Sequence, residues 1–320
     1  MQQRTYYIDF LRSIAILFML MANISPYIFI ANTPVILRIM YSLAAPTFIF
    51  LCGYSAVKFS SSSSFAFWRV IFAAAFIDAF IWHLMPFSGF DVLYVISLTV
   101  LSVQLFMKVP AYVQHLCFSA VLIAWILTSI YIPYRFELED SFNFNLKNSL
   151  TRFFIDGWFP FLPWILIGWA GAYFAKYHLV ENKFTIWEGI MLFIFGLTWA
   201  YQHPMNGARN GYLEIFYPVT FPFICLSMGF IMIMLSLLKK IIVTDYLLCV
   251  IGRNSLTAYI LHAALISYVI SHLVLAGSWL NLLLFWSALA LIVFLVCLAR
   301  EKFLPKSKDL PWWLRLPTGI

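Results

Sequence analysis

Asp9, Arg12 and Asn23 stand in a stretch that is otherwise almost wholly apolar, YYIDFLRSIAILFMLMANISP from Tyr6 to Pro26. Asp9 and Arg12 are three apart, so on a helix they share a face and neutralise one another. Eleven residues beyond Arg12, Asn23 returns to within about 20° of that face, about 16 Å further along the axis. One polar stripe therefore joins an ion pair near one end of a helix to an amide in its other half. Such an amide can donate to an oxyanion or bond a neighbouring helix, and spacing alone leaves both readings open. A second stretch repeats the design: VIGRNSLTAYILH from Val250 to His262. Ser255, Tyr259 and His262 fall at i, i+4 and i+7, a single stripe on a helix. Gly252, Arg253 and Asn254 stand where that helix begins, and an arginine beside free backbone N–H groups suits a phosphate. His262 is either a general base or a hydrogen-bonded packing residue.

Other polar residues lie in or beside apolar runs: Arg38, Asp78, His83, Asp91, Asp156 and Glu188. Asp156 precedes GWFPFLPW, whose two prolines break a helix and leave carbonyls that must find partners in protein or in a watery cavity. The run YPVTFP from Tyr217 does the same elsewhere. Two broken segments of this kind either frame a pocket or simply end helices.

The elements that must position these residues follow from composition. The 320 residues are 63% hydrophobic and 10% charged, with a mean hydropathy of +0.91. Soluble domains are nearer 45–50% apolar and about 25% charged, so the solvent of this chain is lipid. Disorder is excluded by 33 Phe, 17 Tyr and 12 Trp, since disordered chains are poor in aromatics. The net charge of +7 is spread between apolar runs rather than gathered in one patch, which argues for membrane orientation and against nucleic acid. The five cysteines form no CxxC pair and stand near no histidine cluster, so neither a disulfide framework nor a metal site is expected.

A span needs about 20 mainly apolar residues. Ten runs qualify, at 8–31, 34–57, 65–85, 90–107, 112–133, 153–175, 184–202, 217–238, 254–275 and 280–299. The first carries Asp9 and Arg12 and is too long for a signal peptide, so it is expected to stay as a span. With ten spans, one side of the membrane receives Arg135, Lys147, Arg152 and Arg209, and Arg12 and Arg38 lie within spans. The other fourteen of the twenty basic residues fall on the side of both termini. The positive-inside rule makes that side cytoplasmic. The expected fold is thus an all-α, polytopic integral membrane protein of about ten transmembrane helices with N-terminus and C-terminus cytoplasmic. Residues 1–300 form a single transmembrane domain and 301–320 a short cytoplasmic tail. Segments 134–152 and 203–216 face outward.

In order along the chain come IDFLRSIAI from Ile8 leading to Asn23, APTFIFLCGYS from Ala45, and FDVL from Phe90. FPFLPW from Phe159, YPVTFP from Tyr217 and GRNSLTAYILH from Gly252 follow. With these six segments the chain resembles the membrane acyltransferase family of heparan-alpha-glucosaminide N-acetyltransferase and its bacterial relatives. The resemblance implies a multi-helix enzyme that takes acetyl-CoA, or another acyl-CoA, from the cytoplasm and acylates a carbohydrate or glycolipid acceptor on the far side. The family's Asp-x-x-Arg opening and its asparagine fall on Asp9, Arg12 and Asn23. The lysosomal enzyme places a catalytic histidine in the loop after its asparagine; here that loop has Asn32, Thr33 and Pro34, and no histidine stands between Asn23 and His83. The catalytic set expected is therefore Asn23, His262 and Asp9, with His83 a second candidate base. The set expected at CoA and substrate is Arg12, Arg253, Asn254, Ser255, Tyr259, Asp91 and Asp156, and no metal is required. The implied location is a bacterial inner membrane, with a homodimer left open. Intramembrane charges and broken helices serve a transporter or flippase equally well, and a catalytically inactive family member also fits.

Overall fold

The computed structural model describes residues 5–28, 33–59, 63–132, 146–203, 212–273 and 277–303. Helices dominate these residues. In chain order they are α1 (Tyr6–Ile24), α2 (Val35–Lys58), α3 (Ser63–Phe76), α4 (Val92–Phe106), α5 (Ala111–Tyr131) and α6 (Leu146–Thr151). Then follow α7 (Phe161–Lys176), α8 (Thr185–Gln202), α9 (Phe221–Ile241), α10 (Cys249–Arg253), α11 (Ser255–Tyr268) and α12 (Trp279–Phe303). The described residues of each of the ten apolar runs are mainly helical.

Six of the described helical segments are long and apolar enough to cross a membrane alone: Tyr6–Tyr27, Val35–Lys58, Ala111–Tyr131, Phe221–Ile241, Ser255–His272 and Trp279–Phe303. A seventh is gained if Ser149–Asp156 and Phe161–Lys176, bent by 51°, form one broken span. The all-helical, multi-pass membrane class is therefore found, with fewer self-sufficient spans than the ten apolar runs. Length explains part of the difference, because α4 has 15 residues, short of the roughly 20 a crossing needs. The bend before α7 falls where Pro160 and Pro163 withhold backbone N–H groups. Of the expected outward segments, 134–145 and 204–211 lie outside the described residues, as does 304–320 of the expected tail.

The chain forms two compact units. One comprises Met1–Thr47, Ile186–Tyr217 and Phe221–Ile320; the other comprises Phe48–Thr185 and Pro218–Thr220. In the second unit, α2 and α7 approach backbone to backbone. A Cβ on Gly53 would stand 1.9 Å from the Gly168 carbonyl oxygen, and one on Gly171 would stand 2.0 Å from that of Phe50. Small residues of this kind let helices touch in lipid, where no hydrophobic effect drives them together. Next to the contact, Phe106 stacks on Trp169 with ring centroids 4.4 Å apart, within a buried cluster completed by Val103, Ile165, Leu166 and Ala172.

Gly53→Ala should therefore force α2 and α7 apart and lower stability by about 3 kcal/mol, the upper end for overpacking. Thermal unfolding in detergent micelles measures this; an unchanged midpoint would mean the two helices do not meet there.

Candidate functional site

All residues of the first site belong to the unit containing α1. Asn23 Nδ2 lies 2.9 Å from His262 Nε2, and the opposite ring nitrogen, Nδ1, lies 3.1 Å from the Ala258 carbonyl oxygen. A carbonyl only accepts, so Nδ1 carries the proton and donates to it. Nε2 then holds a lone pair and accepts from the Asn23 amide. The imidazole is neutral, fully buried, and oriented with its basic nitrogen toward Asn23. Tyr259 closes one side, its ring edge-on to the imidazole at 5.0 Å. The two polar stripes seen in the sequence thus meet at their far ends.

Their near ends meet as well. Ser13 Oγ accepts from the Gly252 backbone N–H at 2.8 Å, and its hydroxyl has the Leu248 and Asp9 carbonyl oxygens at 2.7 and 3.0 Å. A Cβ on Gly252 would fall 1.8 Å from the Asp9 carbonyl oxygen, so only glycine permits this approach. Ser13 to Asn23 is ten residues, and so is Gly252 to His262. The first helix and α10–α11 therefore run parallel and in step for about 15 Å. Asp9 and Arg12 form the expected pair, Nη1 to Oδ1 at 3.1 Å, with Asp9 buried. From α12, Trp286 Nε1 donates to the Leu17 carbonyl at 2.9 Å.

Arg253 and Asn254 enter a charged network beside the start of α11, where Ser255 is the first helical residue. The Arg253 guanidinium donates to both carboxylate oxygens of Glu301, each at 2.8 Å, and to Asp245. These partners raise its pKa further above the ordinary arginine value, the Glu301 hydrogen bonds most. Asn254 Nδ2 donates to Glu301 at 2.8 Å, and Arg300 Nη1 reaches Asn254 Oδ1 and Thr257 Oγ1. The residue expected to meet a phosphate therefore already holds two carboxylates.

Asp91 and Asp156 belong to the other unit. Asp91 caps α4, its carboxylate accepting from the Val92 N–H at 2.6 Å. Asp156 is buried at the end of a π-helical turn, Arg152–Asp156. Two of the sequence segments adjoin here, because the N–H groups of Trp158 and Phe159 donate to the Gly89 and Phe90 carbonyls, both at 2.9 Å. His83, the second candidate base, is exposed.

One buried acid was missed. Glu214 lies between α8 and α9, on a segment tied to α2 on either side of it. Arg38 Nε donates to the Leu213 carbonyl at 2.8 Å, and the Ile215 N–H donates to Ser42 Oγ at 2.7 Å. Burial pushes the Glu214 carboxyl up from its ordinary 4.5 to about 7, while its own backbone N–H and the Arg38 charge pull the other way. Among the described residues, Arg38 and Tyr41 are the titratable groups facing it from α2. Met21 and Ala22 of α1 and Trp286 of α12 complete the cluster around Tyr41 and Leu213. A lone Glu in a turn-rich loop carries no periodic signal, so nothing in the sequence marked it.

Residues 4–205 match the family model described as heparan-alpha-glucosaminide N-acetyltransferase, catalytic. The match spans Asp9, Arg12, Asn23, Asp91 and Asp156 and ends before Glu214, Arg253 and His262. No curated protein matches the chain. Among the described residues, no group of three or more His, Cys, Asp or Glu is placed to hold a metal ion.

The Glu214 environment fixes a pH dependence. Unfolded, its carboxyl releases the proton near 4.5; folded, it keeps it to about 7. The folded state thus loses stability as pH rises from 4.5 to 7, by up to about 3 kcal/mol, and the effect levels off above 7. Glu214→Gln should remove this slope from unfolding midpoints measured between pH 4 and 8.

Proposed function

The chain belongs to the heparan-alpha-glucosaminide N-acetyltransferase catalytic family, and from that premise we propose that it moves an acetyl group from acetyl-CoA, or a related short acyl-CoA, to a sugar or glycolipid across the membrane. The observation that carries this reading is the 2.9 Å contact between Asn23 and His262. An acyl transfer needs a base for the incoming amine or hydroxyl and a donor for the oxyanion that forms on the thioester carbonyl. His262 Nε2 is a lone-pair nitrogen held by the Ala258 carbonyl on its far side, and Asn23 supplies an amide N–H at the same point. When the acceptor attacks, its proton passes to Nε2, its nitrogen or oxygen bonds the acyl carbon, and Asn23 turns its N–H to the developing oxyanion. The carbon–sulfur bond then breaks, and the CoA thiolate leaves with a proton returned from His262.

The donor is read as arriving from the cytoplasm and the acceptor as lying outside. The positive-inside count supports this, and so does the parallel course of α1 and α11. Two parallel spans require an even number of crossings from the start of one to the start of the other. The ten-run reading gives eight; the seven-span count, with the bent pair as one, gives five. The parallel register therefore favours an odd number of further crossings, met when α3, α4 and α8 all cross, with both termini cytoplasmic. A bacterial inner membrane and acyl-CoA as co-substrate complete the proposal.

His262→Ala and Asn23→Ala should each lower acetyl transfer by about a hundredfold or more, the scale for losing an acid–base group or an oxyanion donor. Acetyl-CoA binding, followed by equilibrium dialysis on the full chain in nanodiscs, should be little changed. Full transfer by either variant would remove the pair from the chemistry.

A further inference from the structure

Glu214 is 6% exposed, and its Oε2 is wholly buried with no hydrogen-bond partner. Native structures rarely leave such an oxygen unfilled, because an unmet buried acceptor forfeits its hydration without return. The side chain has little freedom to seek water. Leu213 and Ile215, on either side, are fixed to α2 by the Arg38 and Ser42 hydrogen bonds, and Ile215, Phe216 and Tyr217 are all buried. Leu213 packs on the cluster of Met21, Ala22 and Tyr41, and Ala22 directly precedes Asn23. The segment that carries Glu214 thus packs, through Leu213, against the end of α1 that carries Asn23.

Resting on the acetyltransferase reading, we propose that Glu214 receives the acceptor: its buried oxygen accepts a hydrogen bond from an amine or hydroxyl of the sugar, with Arg38 and Tyr41 behind it. In its ionised form the carboxylate accepts only; the thioester carbonyl and the phosphates of CoA have no hydrogen to give it, whereas an amine or hydroxyl of the acceptor does. Glu214 binds in this scheme and does not exchange protons with the reacting atoms.

Initial rates with acetyl-CoA and D-glucosamine, on the full chain in lipid nanodiscs, test the assignment. Glu214→Gln keeps the volume but puts a donor where an acceptor is needed. It should raise the KM for glucosamine about tenfold or more while leaving the KM for acetyl-CoA unchanged. Glu214→Asp, which keeps the carboxyl, should recover part of the loss. A rise in both KM values, or in neither, overturns the role. If the wild-type chain transfers no acetyl group, the acetyltransferase reading fails by itself, and glucosamine alone then tests Glu214 by heat stabilisation. Stabilisation of the wild type that Glu214→Gln abolishes supports the site; none in the wild type, or equal stabilisation of both, overturns it.

Discussion

The approach of Gly252 to the Asp9 carbonyl sets the geometry on which the candidate site depends. Where water is absent, a helix cannot leave a hydroxyl or an amide unsatisfied. Ser13 answers that demand by accepting from one backbone N–H of α10 and placing its hydroxyl near two carbonyls. The contact works only because residue 252 has no side chain, and it fixes both the separation and the register of the paired helices. Ten residues later the same register delivers Asn23 to His262. A shift of one residue would turn each by about 100° and leave two polar groups facing apolar neighbours.

Polar groups are sorted along this helix pair by what each depth tolerates. Full charges gather near helix ends: Asp9 with Arg12, and Arg253 and Arg300 with Asp245, Glu301 and Asn254. The interior pair is an amide and a neutral imidazole. An ion pair buried there would pay the desolvation cost of two charges, whereas Asn23 and His262 each give up one hydrogen bond to water and recover one from the other. The resulting nitrogen is basic, uncharged and fixed in direction.

Much of this was legible in the sequence, and what was not has identifiable causes. The stripes containing Asn23 and His262 were visible as helical periodicity, and so was the Asp9–Arg12 pair. That the two stripes face each other was not, because periodicity assigns faces and never partners. Arg253 was read as a phosphate ligand since its local setting, a helix start, suits an anion. In the fold its guanidinium also meets Asp245 and Glu301, the latter 48 positions away and so invisible to a local pattern. Asp91 stands out as an acid beside an apolar run, and in the fold its carboxylate also caps α4. Glu214 escaped notice because loop residues show no period and burial in a loop is a tertiary property. Six of the helices that carry apolar runs are long and apolar enough to cross a membrane alone, and a run says little about where a helix breaks, as the bend before α7 illustrates.

The offset of 239 positions between Ser13 and Gly252, and again between Asn23 and His262, has a consequence for biosynthesis. The first helix reaches the bilayer while most of the chain is still unmade. Its ion pair is satisfied within the helix, but its serine and its asparagine must pass that interval with provisional neighbours. The final partners emerge only when translation nears its end, and Trp286 secures the arrangement later still. A ribosome that stops before the last spans leaves a membrane-embedded fragment whose costliest residues have no lasting place to go, which is the kind of species membrane quality control removes.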